Sequence, residues 1–175
     1  MENEMHIVAS HFGTAPVDPA AILADLCVDY AERPIRAGES AWIERQGDRF
    51  SVVVNSEDGR ARRRFSAAHE LAHYLMHRDL MYVDRARVNR HTDRLYGERV
   101  DNPASPFTRQ HDTQANRLAV QILMPAPLVC AKFAAQSDVG RLAADFGVSK
   151  GAMVIRLGTL GLAAAPQSSP LALAI

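Results

Sequence analysis

Five residues carry the chemistry of this chain: His69-Glu70-Leu71-Ala72-His73, set within Phe65-Ser-Ala-Ala-His-Glu-Leu-Ala-His-Tyr-Leu-Met-His77. On an α-helix, positions i and i+4 stand one above the other on the same face. His69 and His73 can therefore point two imidazoles at one metal ion, and Glu70 flanks that ion without binding it. Two nitrogen ligands, a general base and an open position for water are what a zinc hydrolase requires. On this reading His69 and His73 are zinc ligands and Glu70 is the catalytic base. The pattern fixes only three positions, so the elements around it must supply the rest.

Those elements can be read in outline. Val17 to Tyr30 is expected to be helical, with Asp18 as cap, Pro19 in the first turn, and Ile22, Leu26 and Tyr30 as a buried stripe ended by Pro34. From Ala41 to Asn55 the residues are β-prone, and Gly47-Asp48 between the two runs marks a hairpin. The histidine-bearing helix is expected over Arg60 to His77, with Phe65, Ala68, Ala72, Leu75 and Met76 on its apolar side. Arg60, Arg62, Arg63 and Arg64 crowd its N-terminal end, where the helix dipole does not favour cations. Solvent or nearby acidic groups are the expected partners of that run. Residues 78–107 read as an irregular connection with at most a short strand within Arg78–Asp84, and Asn89-Arg-His-Thr-Asp93 reads as loop. A connection of that length is often functional, so a substrate-binding or lid role is expected for it. Helical patterning returns over 108–124 and 126–136. Residues 138–162 read as helix, turn, helix, and 163–175 as a loose tail. The expected class is α+β: a small zincin-like domain over residues 1–162, with helices packed on a short antiparallel sheet or hairpin.

Composition narrows the function. The 175 residues suit one domain and can bury a core without staples. Lys plus Arg and Asp plus Glu each total 20, so no global field recruits nucleic acid or anionic membrane. Cys27 and Cys130 lie in apolar helical contexts and are expected to be small buried residues of a reducing compartment. The acidic N-terminus lacks a signal-peptide core, and no apolar run reaches about 18 residues. A cytoplasmic protein is expected.

A catalytic zinc needs a third protein ligand. His77 continues the i+4 series, but it lies about 12 Å along the axis from His69 and cannot reach the same ion with both. It is expected to be a packed or hydrogen-bonded residue at the helix end. Further along runs His111-Asp-Thr-Gln-Ala-Asn-Arg-Leu-Ala-Val-Gln-Ile-Leu-Met-Pro125. Arg-Arg-Phe-Ser-Ala-Ala-His-Glu-Leu-Ala-His, followed by Ala-Asn-x-x-Ala-x-x-Ile-Leu-Met-Pro, resembles the ImmA/IrrE family of metallopeptidases from the first helix to about Leu162. In that family a Glu three residues before the Ala-Asn pair is the third zinc ligand. The resemblance therefore implies Asp112 as the ligand here, with His111 beside it as the alternative. Aspartate is one methylene shorter, so its helix must approach by roughly 1–1.5 Å more to bond zinc.

The resemblance also implies a regulatory peptidase whose substrate is a helix-turn-helix repressor, acting in stress response or mobile-element transfer. Glu70 then accepts the proton of the attacking water and passes it to the leaving amine. Tyr82, His91, Tyr96 and nearby arginines are candidates to stabilise the oxyanion, and no spacing rule selects among them. A rival function lies in Leu142–Leu157, which has the look of a DNA-binding helix-turn-helix, with a Gly147 turn and a Ser149 cap. Its second helix offers only Lys150 and Arg156 as cations, so direct nucleic-acid binding is not expected.

Overall fold

A computed structural model of the chain describes residues 2–82, 89–93 and 105–162. The first element is helix α1 (Glu2–Ser10). Helix α2 (Pro19–Asp25) starts where its cap predicts, Asp18 accepting a hydrogen bond of 3.0 Å from the Ala20 N–H. It ends well before Tyr30. Cys27 takes a left-handed φ of 58° and Val28 N–H bonds back to the Leu23 carbonyl, a helix-ending turn. Tyr30 belongs instead to strand β1 (Asp29–Arg33). The four-residue stripe is overridden because Asp29–Arg33 pair in parallel with Ser51–Asn55, a partner distant in sequence.

Strands β2 (Ala41–Gln46) and β3 (Arg49–Asn55) form the expected hairpin, closed opposite Gln46 and Arg49. Gly47 turns it with φ of 62°, a conformation that side chains disfavour. The fully buried Arg45 braces the turn, its guanidinium donating to the Gly47 and Met81 carbonyls. Beyond β2 lies β4 (Asn89–Asp93), so the sheet runs β1-β3-β2-β4 and is mixed rather than purely antiparallel. This strand corrects the reading of Asn89–Asp93 as loop. Of the rest of that connection, Arg78–Tyr82 forms a 3₁₀ turn, and 83–88 and 94–104 lie outside the described residues. The substrate or lid role expected there, the Tyr96 assignment and the loose tail at 163–175 all fall at least partly outside them too.

Helix α3 (Arg60–His77) has the bounds its pattern predicts. It crosses between two apolar clusters. Leu71 and Ala67 join Ile22, Leu23, Ile43, Val52, Val54 and Met81 against the sheet. Ala68 joins Leu123, Leu142, Phe146 and Met153 on the far side. Being buried on both flanks, α3 hides Glu70, His69 and His73 as well as its alanines. Met76, expected on the apolar side, is instead 47% exposed. The arginines of its first turns find oxygen partners: Arg63 bonds Glu32 at 3.1 Å and the Ser56 carbonyl, and Arg64 bonds the Val17 and Phe146 carbonyls.

The C-terminal part follows its sequence signals. Helices α4 (Arg109–Leu123) and α5 (Ala126–Ala135) meet at Pro125. Helices α6 (Val139–Phe146) and α7 (Lys150–Thr159) are capped by Asp138 and Ser149 and joined through Gly147, whose φ is 63°. A Cβ at Gly147 would stand 2.8 Å from the Arg64 side chain, so this turn is held against α3. Met153 and Leu157 of α7 are fully buried, and Arg156 donates to the Met124 carbonyl at 3.0 Å. That helix packs inward. Cys27 and Cys130 are free thiols and both are exposed, contrary to expectation, since each lies at a position its helix or turn leaves uncovered. Among the described residues no single helix is long and apolar enough to cross a membrane.

Candidate metal centre

Helices α3 and α4 pack with small residues at their contact, Ala68, Ala72, Ala115 and Ala119 all being fully buried. That close approach is the condition Asp112 needs. Its Oδ1 lies 3.5 Å from His73 Nε2, so the shorter stem still brings the carboxylate to the histidines. His69 Nε2 and His73 Nε2 are 3.1 Å apart, as one-turn spacing predicts.

A third imidazole joins them from the sheet. Period-two alternation puts Ala41, Ile43 and Arg45 of β2 on one face, and Ile43 belongs to the core under α3. His91 of β4 is directly opposite Ile43 in the register and shares that face. Arg90, one residue earlier, turns the other way, bonding Glu44 at 2.9 Å and lying over the Trp42 ring. His91 Nε2 thereby comes within 3.6 Å of Asp112 Oδ1. The ligand atoms of His69, His73, His91 and Asp112 all lie within 4.8 Å of one another.

Each ring is oriented by the bond made at its other nitrogen. The Asn116 Oδ1 can only accept, so His69 Nδ1 carries the hydrogen of their 2.9 Å bond and Nε2 keeps a lone pair. Gln114 Oε1 accepts from His77 Nε2 at 2.9 Å, leaving His77 Nδ1 to accept from His73 Nδ1 at 3.1 Å. His73 Nε2 then also carries a lone pair. His77 is therefore the hydrogen-bonded helix-end residue its position suggested. Phe107 stacks flat on His73 at 4.3 Å and walls the site. His111 stands apart from the four converging atoms, its Nδ1 accepting the Thr108 N–H at the start of α4. Tyr82 packs against Phe50 and under Arg45.

Two lone pairs facing each other across 3.1 Å beside a carboxylate oxygen repel unless a cation lies between them. A tetrahedral zinc site has ligand–ligand edges of about 3.3 Å. Three of the separations, 3.1, 3.5 and 3.6 Å, lie near that edge and all fall within 4.8 Å, so these residues could hold a metal ion. Glu70 is completely buried next to His69 and is not one of the four converging groups.

The family profile of the M78 peptidases, described as an IrrE N-terminal-like domain, matches residues 36–158. The chain belongs to this family. The M78 match takes in the hairpin, α3, β4, α4 and most of α7, so every residue of the cluster lies inside it. No curated protein matches. Among solved structures, a Mycobacterium tuberculosis transcriptional regulator is similar in fold, with a TM-score of 0.55 and 19% identity. The alignment covers 90% of this chain and 46% of that one, so the M78 chain spans about half the length of its structural relative.

Two consequences can be measured. Asn116→Ala frees the His69 ring to rotate, and metal affinity should fall by about 10–100-fold with the fold intact. Chelator competition reads the affinity and circular dichroism the fold. The second concerns pH. Burial, and then the neighbouring imidazoles of His69, His91, His77 and His111, hold His73 well below the ordinary value of 6.5. Below that value the unfolded chain binds a proton that the folded chain refuses, so stability falls as pH drops. The metal-free protein should show a lower urea midpoint at pH 5.5 than at pH 7.5.

Proposed function

We propose that this protein is a zinc-dependent endopeptidase, working as one domain over residues 1–162, whose substrate is a helix-turn-helix transcriptional repressor. The observation that carries this reading is the buried group of imidazoles and a carboxylate built on the family's own motif. His69, His73 and Asp112 hold the metal, and a set of nitrogen donors with one carboxylate suits zinc. When bound, the cation polarises the scissile carbonyl and makes the attacking water more acidic. Glu70 takes the proton from that water and delivers it to the leaving amine nitrogen. Its burial beside His69 keeps the carboxylate out of bulk solvent, where its basicity towards the water is best used. Asn116 and the His77–Gln114 pair keep both helix imidazoles in the ligating tautomer. Phe107 and the α3–α4 contact exclude competing water.

A repressor substrate is supported by the resemblance of the two sequence blocks to regulatory peptidases, and a regulator as partner is compatible with the fold likeness. It also suits a cytoplasmic location. The rival reading, a DNA-binding or repressor-binding regulator acting through α6 and α7, has less to draw on. Its second helix commits Met153, Leu157 and Arg156 to packing. The test is direct. Zinc-loaded protein should cut a helix-turn-helix regulator at a discrete bond, located by mass spectrometry, and a chelator should stop it. Intact regulator after prolonged incubation, together with tight and salt-sensitive binding to random duplex DNA, would reverse the ordering.

A further inference from the structure

We propose that His91 is the fourth protein ligand of the metal, so that β4 closes the site, and that hydrolysis begins only once β4 withdraws. This rests on the metallopeptidase reading and adds to it a built-in control. The geometry is the first support. His91 Nε2 belongs to the same cluster as the three expected ligand atoms, at 3.6 Å from Asp112 Oδ1.

The hydrogen bonding is the second. Ser105 Oγ donates to the Phe107 carbonyl at 3.3 Å and accepts the Phe107 N–H at 3.2 Å. The same hydroxyl bonds His91 Nδ1 at 2.8 Å, which fixes the ring with Nε2 towards Asp112. When Nδ1 carries the hydrogen of that bond, the neutral ring presents a lone pair at Nε2, as a metal ligand must.

Coordination chemistry supplies the consequence. A zinc with four protein ligands is closed, whereas a hydrolytic one keeps a position for water. With His91 in place, the site is a holding state. The fold makes that state reversible, because His91 arrives on a strand at one edge of the sheet formed by the described residues and not on the helices that carry the other ligands. Among the described residues this five-residue strand is paired on one side, and such a strand opens at lower cost than a buried helix. Its departure removes one ligand and also uncovers the edge of β2, where an extended polypeptide can pair.

Cobalt(II) tests this without relying on turnover. Wild-type protein loaded with cobalt should show four-coordinate visible bands that azide leaves unchanged. His91→Ala should gain an azide-responsive spectrum and bind zinc at least about tenfold more weakly in chelator competition. His91→Asn serves as a second variant closer in size, and the azide titration of the wild type requires no variant at all. An azide-responsive wild type, or a His91→Ala protein with wild-type spectrum and affinity, overturns the proposal and leaves the peptidase reading standing. Failure of the wild type to take up any metal removes both.

Discussion

Replacing Glu70 with glutamine is expected to abolish hydrolysis while leaving the metal and the fold in place. The carboxamide has the shape of the carboxylate, so a fully buried position on α3 is filled without a cavity. What disappears is the group proposed as the base. Loss of a positioned proton acceptor costs about 10²–10⁴ in rate, or about 2.7–5.4 kcal/mol of barrier. Metal content should match wild type, because Glu70 is not among the four converging groups. The measurement is the cleavage rate of a helix-turn-helix regulator, paired with metal analysis and a thermal melt. A Glu70→Gln protein that cuts at the wild-type rate would refute the assignment of the base. One that has lost its metal would place Glu70 among the ligands.

Asp112→Ala should produce the second large effect, this time on binding. The carboxylate is the acidic member of a group otherwise made of imidazoles, and its side chain is 17% exposed. Without it a divalent cation keeps nitrogen donors but loses its charge partner. Zinc affinity should fall by at least the factor of about 10–100 that even an outer-shell change causes. With His91 as a ligand, three imidazoles remain and weakened binding persists, so the His91→Ala, Asp112→Ala double variant should lose the metal altogether. Asp112→Glu should not improve on wild type. The alanine contact between α3 and α4 already brings the aspartate within 3.5 Å of His73, and a further methylene must find room there. Wild-type metal content and affinity in Asp112→Ala would remove Asp112 from the site.

Local rules decided much of this protein. One-turn spacing placed His69 and His73 on one face, and the caps at Asp18, Asp138 and Ser149 began helices where their side chains bond the first free N–H groups. The bounds of α3 and the turn at Gly147 are of the same kind, since a few neighbouring residues suffice to specify them. Asp112 was named through a family likeness, because nothing within its own helix says which way that helix will face.

Tertiary structure alone decided the rest. Tyr30 continues a helical stripe in sequence and yet sits in a strand, because parallel pairing with β3 outweighs a short helix's own preference. Asn89-Arg-His-Thr-Asp93 shows no apolar alternation, since Arg90 reaches Glu44 and the Trp42 ring on one side while His91 faces His73 and Asp112 on the other. A strand whose side chains meet polar and charged partners on both faces carries no period-two hydrophobic signal. In the sequence His91 is one oxyanion candidate among several. Its approach to His73 and Asp112 depends on the register of β4 against β2, which is set by backbone pairing between segments nearly fifty residues apart.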